Sequence, residues 1–209
     1  MENQNDHNPL AVEIFNRHAA FYKERFMDVS RYAAALDAFV AQLPEKAELL
    51  ELACGPGNVT RYLLDRKKNL TITATDLAPN MLEIAAETCP EAKLLLLDAR
   101  KISELNSKYD AVIAAFIFPY FSKIETAQFL RDAKALLKPG GTLLLSTMEA
   151  EDKHSGWQVN SKGERCYQQF YNETELLQWL QEAGFNRFSS SRFPIPDSEY
   201  SQDLFILAS

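Results

Sequence analysis

The chain has 209 residues, of which 46% are hydrophobic, and its formal net charge at pH 7 is −7. This length and apolar content predict one folded domain with a sizeable core and exclude a disordered chain. The acidic balance argues against a nucleic-acid partner, because a surface that binds a duplex usually carries a basic footprint.

The three cysteines, Cys54, Cys89 and Cys166, are too few and too scattered for a disulfide framework. The sequence contains no Cys-x-x-Cys pair, which argues against a structural zinc site, so we expect no metal. The polar N-terminus has no apolar signal core, and no apolar run approaches the length that spans a bilayer. These observations predict a cytoplasmic protein that does not bind a membrane.

The N-terminal region is predicted to be helical after a disordered tail at residues 1–8. Apolar residues at spacings of three and four predict one helix over 10–26. A second helix is predicted over 30–43, with Ser30 as its N-cap and Pro44 at its end.

The middle of the chain alternates between short apolar runs and helical patterns. The predicted strands cover 48–53, 70–75, 93–97, 109–116 and 142–147, and the predicted helices cover 58–66, 79–88 and 123–137. The segment Lys138-Pro139-Gly140-Gly141 is expected to end the last of these helices. Near-continuous apolar strands that alternate with helices indicate a parallel sheet covered on both faces.

The last third departs from this alternation. Residues 148–172 are polar and aromatic, with a possible hairpin over 159–171. Asn172 is expected to cap a helix over 173–183, with Glu175 completing a capping box. Two final strands, 185–192 and 201–208, are joined by a connection short enough to make them antiparallel.

The turn after the first strand, Cys54-Gly55-Pro56-Gly57-Asn58, predicts a ligand site. Its two glycines let the backbone turn sharply and approach a ligand, and the helix that follows offers free N–H groups. In an open α/β sheet, ligands bind at the carboxyl ends of the strands near a switch in strand order. An ordinary tight strand-to-helix turn is the alternative.

Two aspartates favour the ligand site. Asp76, at the end of strand two, could accept hydrogen bonds from both hydroxyls of a ribose, or else cap the helix near Pro79. Asp98, after strand three, could accept from an adenine amino group, or else be an exposed turn residue. The turn lacks the third glycine of a dinucleotide site, since residue 60 is Thr, and no phosphate-loop Gly-Lys-Ser/Thr follows. A ribose and adenine without a pyrophosphate fit this pattern.

The sequence resembles the class I S-adenosylmethionine-dependent methyltransferases, small-molecule type. The first motif is Glu51-Leu52-Ala53-Cys54-Gly55-Pro56-Gly57 and the second is Asp76-Leu77-Ala78-Pro79-Asn80-Met81-Leu82. Three more follow in order: 95–99, 109–115 and 137–143. The segment 116–120 departs from the family, because it lacks the His that members often carry and the Asn/Asp-Pro-Pro-Tyr signature of base methylation.

The resemblance implies an α/β, Rossmann-like, doubly wound sheet of seven strands in the order 3-2-1-4-5-7-6, with strand seven antiparallel. It implies S-adenosylmethionine as cofactor and S-adenosylhomocysteine as product. Gly55 and Gly57 would face the methionine moiety and Glu51 its ammonium, while Asp76 would bind the ribose. The other cofactor-binding residues that we predict from it are Tyr22, Ala53, Asn58, Leu77, Met81, Asp98, Ala99, Ala115 and Phe116. For Tyr22, core packing is the alternative.

We predict one methyltransferase domain over 1–209: a helical cap at 1–45, a cofactor-binding core at 46–147, a substrate lid at 148–172, and the final helix and strands at 173–209. The acceptor pocket is expected to form from the N-terminal helices, the loop 116–121 and the lid. Its predicted aromatic rim suits a flat or apolar small molecule, and comprises Phe118, Tyr120, Trp157, Tyr167, Phe170 and Tyr171. For several of them, packing of the lid onto the sheet is the alternative.

The sequence does not identify the methyl acceptor or a catalytic residue. The histidines His7, His18 and His154 are candidate bases, but an exposed loop position is the expectation for His154. A monomer or homodimer is expected.

One alternative function is that of a non-catalytic S-adenosylmethionine-binding regulatory protein. Another is an NAD-dependent oxidoreductase, but Thr60 and the helices before strand one argue against this second alternative. Nucleic-acid modification ranks lowest.

Overall fold

A computed structural model of the chain describes residues 6–160, 162–196 and 198–209. Its helices are α1 (Asn8–Arg17), α2 (Ala19–Phe26), α3 (Ala33–Val40), α4 (Asn58–Arg66), α5 (Pro79–Thr88), α6 (Lys123–Leu136) and α7 (Glu173–Glu182). Its strands are β1 (Glu48–Leu52), β2 (Thr71–Asp76), β3 (Lys93–Leu96), β4 (Tyr109–Ala115), β5 (Leu137–Glu149), β6 (Gly156–Val159), β7 (Arg165–Gln168), β8 (Phe188–Pro194) and β9 (Gln202–Ala208). None of the helices in these residues has both the length and the apolarity to cross a membrane.

Seven strands form one sheet in the order β3-β2-β1-β4-β5-β9-β8. The first five are parallel, and β9 runs antiparallel to both β5 and β8. Counted without the separate hairpin β6–β7, this is the predicted order 3-2-1-4-5-7-6, so the predicted fold class is confirmed. Alternate residues of β1 enter opposite cores: Leu50 and Leu52 join one apolar cluster and Leu49 the other. The sheet is therefore buried on both faces, as its continuous apolar strands require.

Helices α4 and α5 have the predicted bounds. The N-cap of α4 is Gly57 in the left-handed conformation (φ 83°), and α5 begins at Pro79, where the absent N–H has no intrahelical partner to lose. Both helices start directly after a strand of the sheet, so their N-termini lie at the carboxyl edge of the strands.

The predicted N-terminal helices are wrong in their bounds. The single helix over 10–26 is two helices, separated at His18 (φ −107°, ψ 20°), where the imidazole Nε2 lies 2.8 Å from Glu164 Oε2. Helix α1 starts at Asn8, within the predicted disordered tail at residues 1–8. Residues 1–5 of that tail lie outside the described residues. Ser30 is not a side-chain cap. It lies in a 3₁₀ turn (Ser30–Tyr32), and its N–H donates to Asp28 Oδ1.

Strand β5 is longer than the predicted 142–147. Leu137 pairs with Tyr109 and Thr142 with Ala111, so the residues between them bulge out of the ladder. The segment Lys138–Gly141 thus interrupts a strand that has already begun, because bulged residues leave the pairing on each side intact.

The C-terminal elements differ in detail from their predictions. The hairpin β6–β7 turns at Asn160, whose Oδ1 accepts from the N–H groups of Lys162 and Glu164. Asn172 caps α7 as predicted, accepting from Glu175 N–H at 2.9 Å. The predicted capping box is incomplete, because the Glu175 carboxylate pairs with Lys123 instead (2.9 Å).

Strand β8 begins at Phe188 rather than at 185, since Phe185 is buried in the core after α7 and donates its N–H to Leu180 O.

Candidate functional site

A cavity lies at the carboxyl edge of the sheet. The segments after β1, β2, β3 and β4 form its floor, and α1 and α2 contribute Val12, Phe15 and Tyr22. Ligand pockets in proteins are mostly apolar, with a few polar groups that fix the orientation of the ligand. The cavity therefore has the lining of a small-molecule site.

Ten of the thirteen predicted cofactor-binding residues line this cavity. They are Tyr22, Ala53, Gly55, Asp76, Leu77, Met81, Asp98, Ala99, Ala115 and Phe116. The structure thus gathers residues that are up to 94 positions apart in the sequence around one space, and their contact with a cofactor stays a prediction.

Asp76 connects the loops after β1 and β2. Its Oδ2 accepts from Gly55 N–H and its Oδ1 from Ala78 N–H, both at 2.8 Å. Burial raises the pKa of this carboxyl group, although these backbone hydrogen bonds oppose the effect. A carboxylate offers about four lone-pair positions, so Asp76 can hold both loops and still accept from a ribose. It supports the turn before α5, although Ala78 is the N-cap residue.

Asp98 is held by Arg100. The guanidinium Nη2 lies 2.8 Å from Asp98 Oδ2, and Arg100 N–H donates to Asp98 Oδ1 at 2.9 Å. Burial alone would raise the pKa of Asp98, but the hydrogen bonds and charge of Arg100 outweigh it and lower the pKa. Asp98 lies in a turn and lines the cavity, but its side chain is only 15% exposed, so it is not the exposed turn residue of the alternative. Its contact with an adenine stays a prediction.

Glu51, Gly57 and Asn58 do not line the cavity. Glu51 is 1% exposed and its Oε2 accepts from the Thr60 hydroxyl at 2.6 Å. A Cβ at Gly57 would lie 3.0 Å from Cys89 Sγ. The Asn58 amide donates to Phe26 O at 2.9 Å and so joins the end of α2 to the start of α4. In this structure these three residues support the turn behind the cavity.

Three residues with left-handed backbone lie on the cavity wall, directly after the central strands β1 and β4. Ala53 follows β1 with φ 52°, and Phe116 follows β4 with φ 57°. Gly55 has φ 55°, and a Cβ there would lie 3.9 Å from the Tyr22 ring. Left-handed backbone in residues other than glycine is costly and tends to cluster at functional sites. The positions of Ala53 and Phe116 on the cavity wall agree with that tendency.

Tyr22 packs with neighbouring aromatic rings and also lines the cavity, while its contact with a cofactor stays a prediction. Its ring packs against Phe15 and Phe26, with centroids 5.7 and 4.5 Å apart, and it also lines the cavity opposite Gly55. Burial, followed by the charges of Asp76 and Asp203, raises its pKa to about 12. The phenol is therefore protonated at neutral pH and can donate a hydrogen bond.

Of the six aromatic residues predicted to form an acceptor rim, Tyr120 alone lines the cavity. Phe118, Phe170 and Tyr171 are buried in the protein, while Trp157 is 44% exposed. Tyr167 stacks on His7, with centroids 4.6 Å apart. The described residues of segment 148–172 do not reach the cavity, so its role as a lid stays a prediction.

The histidines lie away from the cavity. His154 is partly buried and stacks on Tyr200 with centroids 4.2 Å apart, so it is not the exposed loop residue expected. His7 packs between Trp157 and Tyr167, and His18 contacts Glu164. None of the three contributes to the cavity lining.

The structure adds polar residues that the sequence reasoning missed. Asn8 lines the cavity and is 7% exposed. Asp203, 4% exposed at the start of β9, accepts from the Tyr32 hydroxyl at 2.6 Å, and burial raises its pKa. The Tyr32 ring packs on the cavity residue Phe116, with centroids 5.5 Å apart. A lone carboxylate in the apolar strand Gln202–Ala208 was a signal available for Asp203, whereas Asn8 offered none.

Several proteins with similar sequences are named as methyltransferases. The malonyl-[acyl-carrier protein] O-methyltransferase of Priestia megaterium is 31% identical over 145 residues, which cover 66% of this chain and 51% of that protein. The demethylmenaquinone methyltransferase of Thermotoga maritima is 31% identical over 119 residues, covering 57% and 50%. The chain therefore spans about half the length of these relatives.

Solved structures share the fold over nearly the whole chain. DhpI in its complex with SAH matches with a TM-score of 0.75 at 18% identity and covers 99% of this chain and 98% of that one. The magnesium protoporphyrin IX methyltransferase ChlM from Synechocystis PCC 6803, with bound SAM, has a TM-score of 0.70 at 16% identity and full coverage of both chains. At these identities the likeness concerns the fold.

The family follows from the sequence over most of its length. The family model described as a methyltransferase domain matches residues 21–189, which include β1 to β5, α4 to α7 and every predicted motif. Together with the sheet order and the cavity, this match shows that the chain belongs to the methyltransferase domain family.

Proposed function

We propose that this protein binds S-adenosylmethionine in the cavity at the carboxyl edge of the sheet and transfers its methyl group to a small molecule. The observation that carries the proposal is the lining of that cavity, in which Asp76 and Asp98 follow neighbouring strands and alternate with apolar side chains. The names of the similar methyltransferases agree with it.

The lining fits the parts of this cofactor. Asp76 accepts from the ribose hydroxyls with the lone pairs that Gly55 and Ala78 leave free. Leu77, Met81 and Ala99 enclose the flat, apolar faces of the adenine. Gly55 and Ala53, with their left-handed backbone, let the methionine part approach the end of β1.

The cofactor supplies an electrophilic methyl group on a sulfonium, so the protein's task is to position and desolvate the reactants. Helices α1 and α2 form one side of the cavity. Holding the acceptor in line with the methyl group lowers the barrier by ~7–11 kcal/mol. An acceptor that is protonated at working pH also needs a base.

Calorimetry with S-adenosylmethionine and S-adenosylhomocysteine tests the binding. The wild type should bind both, and Asp76→Ala should weaken binding by ~1.5–3 kcal/mol, because it removes charged hydrogen bonds to the ribose and the support of Gly55. The exposed Asp65→Ala on α4 is the matched control and should bind like the wild type. A wild type that binds neither compound would overturn the proposal.

Methyl transfer needs a separate test, because a non-catalytic regulatory protein would also bind the cofactor. A panel of small hydroxy, amino and carboxylic compounds should contain an acceptor that the wild type converts with release of S-adenosylhomocysteine. Binding without turnover of any acceptor supports the regulatory alternative. Thermal protection by NAD but not by S-adenosylhomocysteine would favour an oxidoreductase, which membership of the methyltransferase domain family disfavours.

We further propose that residues 1–209 act as one methyltransferase domain with the cap, core, lid and C-terminal segments predicted above, working in the cytoplasm as a monomer or homodimer. The substrate is a small molecule rather than a nucleic acid, in keeping with the net charge of −7. Sedimentation analysis of the purified chain, with and without S-adenosylhomocysteine, measures the oligomeric state.

A further inference from the structure

Asn8, in the first turn of α1, is a buried polar residue of the cavity lining. The residue is 7% exposed and lines the cavity, and its Oδ1 has no hydrogen-bond partner among the described residues. Its Nδ2 lies 3.4 Å from Tyr120 O. Exchanging the two amide atoms would set two oxygens against each other, so Oδ1 stays the free atom. A buried acceptor without a donor is rare in folded proteins and calls for an explanation.

Asn8 lies at the end of the cavity formed by the loop after β3. Its N–H donates to Asp6 Oδ1 (3.0 Å), and the second oxygen of Asp6 accepts from Arg100 Nη1 (2.9 Å). Arg100 in turn holds Asp98, while Leu97 N–H donates to Asp76 O at 3.1 Å. These contacts bring Asp98 and the first turn of α1 together, next to the strand that ends at Asp76.

The Asp98 carboxylate is already supplied with donors. The guanidinium and the backbone N–H of Arg100 make four contacts of 2.8–3.1 Å with its two oxygens. Four is about the number of lone-pair positions that a carboxylate has. Asp98 is thus poorly placed to accept from a further donor. Asn8 belongs to the same cavity lining, and its Oδ1 accepts from no donor of the residues that the structure describes.

We infer that the side-chain carbonyl of Asn8 accepts a hydrogen bond from the exocyclic amino group of the bound adenine, so that the N-terminal helix recognises the base. This inference rests on the proposed function. The family resemblance implies that Asp98 and Ala99 contact the amino group of the adenine. In this structure Asp98 forms an ion pair with Arg100, and Arg100 also forms one with Asp6, just before α1.

Two ligands that differ at one position of the base test the inference. S-adenosylhomocysteine carries the amino group, which donates, and its hypoxanthine analogue S-inosylhomocysteine carries a carbonyl there, which accepts. Calorimetry would give the dissociation constants of both for the wild type, Asn8→Leu and Asn8→Ala. Leu10→Ala is the matched control, because Leu10 is 38% exposed, lies in the same helix and does not line the cavity.

The wild type and Leu10→Ala should bind the adenine ligand more tightly than the hypoxanthine ligand. Both Asn8 variants should bind the adenine ligand about tenfold more weakly while keeping their affinity for the hypoxanthine ligand, so that the preference shrinks. An unchanged preference in both variants, whether the two affinities stay constant or fall by the same factor, would overturn the inference. A wild type that binds neither ligand would overturn the proposed function instead.

Discussion

At the scale of single residues, Glu51 couples the stability of the fold to pH. Its carboxyl group is 1% exposed on β1, and burial raises its pKa from 4.5 to about 7, more than the Thr60 hydrogen bonds lower it. Between these two values the folded protein keeps a proton that the unfolded chain has lost. The free energy of unfolding therefore falls as pH rises through this range, by about 3 kcal/mol, and is level above it.

Glu51→Gln should remove this dependence, because the amide keeps an oxygen for the Thr60 hydroxyl and carries no charge. The variant should resemble the wild type at pH 4.5 and be more stable than it near pH 8 without ligand. Urea denaturation across this range measures the difference, and Glu45→Gln at an exposed position before β1 is the control. Parallel pH profiles of Glu51→Gln and wild type would contradict the prediction.

Gly57 illustrates a residue whose structural role is more evident than its predicted ligand role. A Cβ there would lie 3.0 Å from Cys89 Sγ, at a φ of 83°. Gly57→Ala should therefore cost more than the ~1–2 kcal/mol of a left-handed alanine. Gly140→Ala, at φ 78° with no atom within 4 Å, isolates the backbone part in the same denaturation experiment. Equal losses in the free energy of unfolding for the two variants would show that the contact with Cys89 does not destabilise the protein.

At the scale of elements, Tyr171 joins three parts of the chain. It follows β7 and precedes α7 in the chain, and its ring is buried. Its hydroxyl donates to Phe121 O at 2.8 Å and shares a second hydrogen bond of 2.8 Å with Thr126 Oγ1 on α6. Tyr171→Phe leaves these two oxygens short of a partner in the core. A loss of ~1–3 kcal/mol in the free energy of unfolding is expected.

Tyr167→Phe in the hairpin strand β7 is the matched control for this loss. Tyr167 contacts His7 through its ring, and the phenylalanine keeps that stacking. The control should change stability by less than ~0.5 kcal/mol. If both variants were equally stable, the Tyr171 hydroxyl would not be the connection between the C-terminal segment and α6.

The elements also show what local sequence signals can predict. Gly57 and Pro79 act on their own neighbours, so α4 and α5 have the predicted bounds. The bulge in β5 depends on pairing with Tyr109, 28 residues earlier in the sequence, and the turn signal at Lys138–Gly141 cannot show that pairing resumes. The same holds for the site. Asp76 ends β2 and Asp98 follows the adjacent strand β3, which the sequence pattern can predict. Asn8 is connected to Asp98 through the Asp6–Arg100 pair, whose members are 94 residues apart in the sequence.

At the scale of the whole molecule, the N-terminal helices differ from the rest in how they are attached. The sheet is enclosed by two large apolar clusters, whereas α1 and α2 contribute to two small ones around Ala11 and Ala19. Polar contacts add to these, among them two 2.8 Å hydrogen bonds between Asn80 and Asn16. Segments with few buried apolar contacts open more readily than the core. The part of the molecule that covers the cavity is therefore also the part best suited to opening it.

Hydrogen exchange measured with and without S-adenosylhomocysteine tests this division. A ligand covered by α1 and α2 holds them closed, so their amides should exchange more slowly, by up to about a hundredfold at a ligand concentration of 100 Kd. Helix α7, which packs on α6, serves as the internal control at exchange times too short for global unfolding. Equal slowing in α7 at those times would indicate general stabilisation, and unchanged exchange in α1 and α2 would show that the ligand enters and leaves without moving them.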